Sequence, residues 1–178
     1  DEAVRILQEV ADRRPISRRT SRAMFEIGLI RLDHLNQREQ ALADFETVMR
    51  ETPDDGLGTR ALYYILRDYE QRDDTVGAVA FCDRMYADLG NSTMGDDLLR
   101  SKSNLLLLDG DRDGARAALE ELVRRYPYPY GQRWDDAITT LAEMDVEDGQ
   151  PARAIERLRM LVNRNEETNL VGSYTLPS

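Results

Sequence analysis

Apolar residues recur along this chain at helical spacing, and the stretches that carry them recur as well. In residues 39–53, Ala41, Phe45 and Val48 fall at i, i+4 and i+7, one face of a 3.6-residue helix that Pro53 stops. Ala3, Leu7, Val10 and Pro15 carry the same pattern, as do Ala78, Cys82, Met85 and Gly90. Ala115, Leu119, Leu122 and Pro127 repeat it, and Ala154, Leu158 and Leu161 repeat it again, with Glu166 in the terminating place. The leading alanines stand 38, 37, 37 and 39 residues apart. A near-constant interval of that size marks a repeat architecture.

Between these stretches lie further helical patterns. Met24, Ile27, Gly28 and Arg31 share one face in residues 21–35, and Leu62, Ile65, Leu66 and Tyr69 do so in 59–70. Leu99, Ser103 and Leu106 follow in 96–108, then Ile138, Leu141 and Ala142 in 135–146. Gly28 in mid-helix costs about 1 kcal/mol against alanine, so it reads as a point where a neighbouring helix comes close. No segment alternates with period two over a useful length, which predicts essentially no sheet. One helical hairpin cannot bury its stripe alone, so adjacent hairpins stack and share a core. The expectation is an all-α, right-handed α-solenoid with a concave inner face. It divides into an incomplete first repeat (1–15), repeats at about 18–53, 57–90, 94–127 and 132–166, and an extended or disordered tail (167–178).

The unit 21–53, with Gly28 in its first helix and Ala41, Phe45 and Pro53 in its second, resembles the tetratricopeptide repeat. The turn at 110–115, Gly-Asp-Arg-Asp-Gly-Ala, is similar to that family's inter-helix turn. The resemblance spans residues 1–166. It departs from the family in slightly longer units and in later copies that mostly lack the first-helix aromatic and glycine. The endings at 124–127 (RRYP) and 84–86 (RMY) look like the degenerate, longer-spaced repeats of bacterial envelope and outer-membrane-assembly lipoproteins. The resemblance implies a stack of helix–turn–helix units that binds another protein or peptide, with no enzyme activity and no cofactor.

Charge narrows the partners. The chain has 178 residues and a net charge of −10, with 34 acidic residues against 24 basic. That argues against nucleic acid, whose affinity comes mainly from neutralised phosphates, and disfavours anionic membrane surfaces. The longest apolar run, 105–108, is four residues, far short of the roughly 18 needed to span a bilayer. No signal-peptide pattern is visible, but the chain opens in mid-repeat and reads as a piece of a longer protein. Periplasm or envelope and cytoplasm are both left open. The single Cys82 rules out an internal disulfide and a cysteine-based metal cluster.

One further motif competes with the repeat. Asp109, Asp111, Asp113, Gly114 and Glu120 satisfy the calcium-loop pattern D-x-D-x-D-G-x5-E. Arg116 stands where such loops carry an aliphatic residue, and no second loop pairs with it. The repeat register also makes Ala115 a buried helical residue, which a calcium loop forbids. The aspartate pairs at 54–55, 73–74, 96–97 and 135–136 fall in turns or at helix starts, where they cap free N–H groups. His34 is the only histidine and reads as a turn residue; Cys82 occupies the Phe45 place and reads as core.

The remaining signal is a surface. Positions between the core stripes of the first helices are expected to point into the concave side: Arg22, Phe25 and Leu29; Arg60, Tyr63 and Arg67; Arg100 and Asn104; Thr139 and Glu143. Guanidinium and amide groups interleaved with aromatic and aliphatic ones suit an extended peptide or an acidic segment of a partner. Arg100 and Asn104 are similar to half of the carboxylate clamp of chaperone-binding members of the family, but Thr140 stands where the second amide would be. Tyr126, Tyr128 and Tyr130 with Trp134 form an aromatic cluster that reads either as packing between units or as a contact patch. The expected function is a non-catalytic protein-interaction scaffold. The alternatives are a structural, self-assembling subunit of a bacterial envelope complex and a calcium-responsive or regulatory domain of a larger protein.

Overall fold

The computed structural model of the chain describes residues 2–12 and 17–168. Among them are nine α-helices and no strand: α1 (Glu2–Ala11), α2 (Arg18–Asp33), α3 (Arg38–Glu51), α4 (Gly56–Gln71), α5 (Thr75–Leu89), α6 (Met94–Asp109), α7 (Arg112–Arg125), α8 (Trp134–Glu147) and α9 (Pro151–Thr168). From α2 onward they form four helix–turn–helix pairs. They belong to two compact units, Asp1–Leu98 and Leu99–Ser178, whose boundary falls inside α6. In the first unit α1 packs on α2, α2 on α3, α3 on α4 and α4 on α5, and α2 also touches α4. In the second, α7 packs on α8 and α8 on α9.

The turns inside the pairs explain the period. Asn36, Asp73, Gly110 and Gly149 all take the left-handed conformation, with φ of 53°, 55°, 85° and 72°. Each stands two residues before the second helix of its pair. These are residue types that reach positive φ at least cost, so one bend is built four times. Aspartates then start the helices. Asp74 accepts a hydrogen bond from the Gly77 N–H at 2.9 Å and Asp111 from the Gly114 N–H at 2.9 Å. A Cβ on Gly77 would stand 2.4 Å from the Asp74 carboxylate, so this tight cap asks for glycine. Asp55 caps α4 through the Leu57 N–H at 3.1 Å. His34 is the C-cap of α2.

The second-helix stripes are the core. Ala41, Phe45 and Val48, then Ala78, Cys82 and Met85, then Ala115, Leu119 and Leu122, are all buried. In the first unit Phe45 is surrounded by Phe25 and Tyr64, with ring centroids 5.4 and 5.2 Å away. Gly28 makes that fit: a Cβ there would lie 2.7 Å from the Phe45 ring. The last stripe is less covered, since Ala154 is buried but Leu158 is 42% exposed.

One boundary differs from the sequence reading. Helix α9 runs to Thr168 rather than ending near Arg164, because residues 165–168 include two glutamates and neither glycine nor proline to stop it. Pro15 and residues 169–178, including most of the expected tail, lie outside the described residues.

Buried aspartates tie one helix pair to the next. Asp68, near the C-terminal end of α4, receives hydrogen bonds from Arg38 at the start of α3, one of them at 2.7 Å, and from Arg72 at 3.1 Å. Asp145, near the end of α8 and fully buried, receives Arg116 of α7 at 2.6 Å and Arg157 of α9 at 2.7 Å. The hydrogen bonds from Arg38 hold the Asp68 carboxyl below the usual carboxylate range, against its burial. For Asp145 burial is the largest influence and pushes upward, but the hydrogen bonds from Arg157 and Arg116, with the nearby positive charges, outweigh it and hold the group low. Asp44 goes the other way: burial raises it, against Arg31 at 2.6 Å.

Two predictions follow from this packing. Gly28→Ala should destabilise the protein, because crowding the buried Phe45 ring costs about 1–3 kcal/mol and outweighs the roughly 1 kcal/mol of helix propensity gained. In chemical denaturation, Gly28→Ala combined with Phe45→Leu should lose less than the sum of the single losses; additive losses would contradict the contact. Asp68 and Asp145 titrate below their unfolded value of about 3.9, so their contribution is present above that pH and lost as pH falls through the lower folded values. Asp44, raised, has the opposite sign and offsets part of it. Melting temperature should therefore fall below about pH 4. Asp145→Asn should lose about 3–5 kcal/mol at neutral pH, as for a broken buried ion pair, and flatten the acid dependence. An acid profile unchanged in Asp145→Asn would refute the assignment.

Candidate functional site

The outward face of α2 and α4 gathers most of the residues singled out from sequence. Arg22 on α2 and Arg60, Tyr63 and Arg67 on α4 are exposed, and Leu29 is half-buried against the core of the first unit. Tyr63 is 59% exposed, its ring edge-on to Tyr64 at 5.6 Å between centroids. Arg100 and Asn104 lie on the part of α6 that belongs to the second unit, half-buried and exposed respectively, and Thr139 and Glu143 are exposed on α8.

Phe25 is a correction. The sequence pattern put it in the contact surface, but it is 0% exposed. Helix α2 packs against α1, α3 and α4, so its buried arc is wider than that of a helix with two neighbours and takes in Phe25 as well as Ile27 and Gly28. Its ring still shapes the surface from beneath, since the Arg60 guanidinium lies over it, 4.6 Å from the centroid.

An open cleft of about 750 Å³ lies at the first turns of α2 and α4, lined by Arg18, Arg19, Arg22, Asp55, Gly56, Leu57 and Arg60. Arg18 reaches Asp55 at 3.1 Å, and Arg22 stands 3.8 Å from Glu26. Among the described residues no ion pair holds Arg19, Arg60 or Arg67. Most other arginines are tied up: Arg31 with Asp44, Arg50 with Glu46 and Asp88, Arg84 with Glu46, Arg112 with Glu147 and Asp148. Sequence reasoning did not separate free from paired arginines. Nor did it find Asp68 and Asp145. An aspartate near a helix C-terminus, where the dipole disfavours negative charge, is the signal that marks both as needing a cationic partner.

The calcium reading does not fit the fold. Helix α7 begins at Arg112, Asp111 is its N-cap, and Glu120 sits two turns inside, 2.9 Å from Arg157. A twelve-residue coordinating loop requires this stretch to be non-helical. The aromatic cluster splits: Trp134 is buried with the Tyr128 ring 6.0 Å away, whereas Tyr130 is 84% exposed. Cys82 is buried, as its place in the stripe requires. No helix among the described residues is long and apolar enough to cross a membrane.

Helix pairs repeating at a fixed interval, each bent at a left-handed residue and, within each unit, linked through a buried aspartate, define an α-helical repeat protein. Residues 98–127, most of α6 and all of α7, match the family model described as tetratricopeptide repeat. Two solved structures of MamA share the fold. One is 14% identical with a TM-score of 0.56, covering 94% of this chain and 89% of that one. The other is 13% identical with a TM-score of 0.58, covering 99% of each. No curated protein matches. Residues 98–127 thus carry a tetratricopeptide repeat, and the chain as a whole shares the all-α, helix-pair fold of the two MamA structures. Repeats of this kind generally serve as non-catalytic scaffolds that bind other proteins or peptides.

Surface and core roles are separable by stability. Phe25→Ala should cost about 3–5 kcal/mol, the range for removing a buried ring. Tyr63→Ala should change stability by less than about 0.5 kcal/mol, as at an exposed site. Urea melts of the two variants check this; a large loss at Tyr63 would place it in the core.

Proposed function

We propose that the chain is a non-catalytic scaffold that holds an acidic stretch of another protein against the exposed face of α2 and α4. The observation that carries this reading is the set of unpaired guanidinium groups, Arg19, Arg60 and Arg67, on one face of a chain whose net charge is −10 and whose other arginines are mostly bound to carboxylates. A guanidinium presents a planar fork that matches a carboxylate with two parallel hydrogen bonds. Tyr63 and Leu29 add apolar surface between the charges, the usual mixture of an anchor and its polar rim. Arg100 and Asn104 present similar donors on α6 of the second unit.

Catalytic groups find little support. Asp68 and Asp145 are buried and bound by arginines, His34 caps a helix, and Cys82 is enclosed in the core. A scaffold asks of these residues only that they hold the helices.

The test is binding of a fluorescein-labelled octaglutamate peptide at low salt, followed by anisotropy. Arg60→Gln together with Arg67→Gln should weaken binding roughly three- to tenfold, from surface contacts of about 0.2–1 kcal/mol each, with the helical circular dichroism unchanged. Unaltered binding would remove this face from the proposal.

A further inference from the structure

The cleft at the first turns of α2 and α4 carries the preceding reading further, and rests on it, because its charge is unbalanced. Four guanidinium groups, Arg18, Arg19, Arg22 and Arg60, face a single carboxylate, Asp55. Asp55 is already engaged, accepting from the Leu57 N–H at 3.1 Å through one oxygen and pairing with Arg18 at 3.1 Å through the other. Arg22 stands 3.8 Å from Glu26, which leaves Arg19 and Arg60 to be matched by a ligand. Arg60 lies over the Phe25 ring, 4.6 Å from its centroid, and no carboxylate among the described residues pairs with it.

A single carboxylate neutralises one of these two. A phosphoryl group carries about −1.5 to −2 charge at pH 7, which matches both remaining guanidinium groups, and three strong acceptor oxygens that reach them together. The first turns of two helices add the positive ends of their dipoles on the same side. Gly56 lines the cleft with nothing within 4 Å of where a Cβ would stand, so its wall is open there. At about 750 Å³ the space is larger than a phosphate and accommodates flanking residues of a bound segment. We propose that this cleft is a subsite for a phosphoryl dianion.

The experiment compares three probes on the full chain: a nine-residue Gly/Ala peptide with one central phosphoserine, the same peptide with glutamate in its place, and inorganic phosphate. Calorimetry should show the phosphoserine peptide binding roughly tenfold tighter than the glutamate peptide, with Arg19→Gln plus Arg60→Gln erasing that preference while the circular dichroism stays constant. Inorganic phosphate as tight as the phosphopeptide assigns the site to the free anion; a clear advantage for the peptide assigns it to a phosphorylated partner. Equal affinity for the phosphoserine and glutamate peptides overturns the phosphoryl subsite and leaves the acidic-partner reading standing. Failure of all three probes, with octaglutamate also unbound, overturns both.

Discussion

A pair of helices joined by a short turn has an apolar stripe that its own two members cannot hide, and the rest of this structure depends on that deficit. Each pair needs cover for its stripe: Phe45, Cys82 and Leu119 are all enclosed, whereas Leu158 of α9 is exposed. The fit at each contact is then a matter of size. Gly28 gives up helix propensity so that the Phe45 ring can enter, and Phe25 and Tyr64 close around it. Hydrophobic burial sets which faces meet, and ring packing sets how closely.

Polar links follow the same geometry. Arg38 reaches forward to Asp68, Arg116 to Asp145, Arg50 to Asp88 and Arg157 back to Glu120. Removing two charges from water is costly, and such pairs are poor sources of net stability even when well formed. Their effect is on register: a buried Asp145 with both oxygens held by Arg116 and Arg157 tolerates little sliding of α8 against its neighbours. The same pairing has a chemical result at the surface. It consumes most of the arginines of the chain, and those it leaves over on α2 and α4 are the ones available to a ligand.

The repeat was legible because burial writes itself into spacing. Alanine, a large apolar residue and another apolar residue at i, i+4 and i+7 are forced by a shared helix face, so the period appeared before any coordinate did. The left-handed turn residues were missed, since Asn36, Asp73, Gly110 and Gly149 share a conformation and not a letter. Phe25 was misplaced for another reason. A single stripe describes a helix with one buried side, and α2 is covered by three neighbours. Which arginines are free could not be read from sequence at all, because pairing across 30 or more residues, as between Arg38 and Asp68 or Arg50 and Asp88, leaves no local mark.

The reach of those side-chain links has one more consequence. Thr59 meets Asp97 across 38 residues, Thr93 meets Asp54 across 39, and Arg112 meets Asp148 across 36, each about one repeat length. A chain emerging from a ribosome therefore waits for only one more hairpin before such a partner exists. Assembly can keep pace with synthesis, and little oily surface is left waiting for distant sequence to be made.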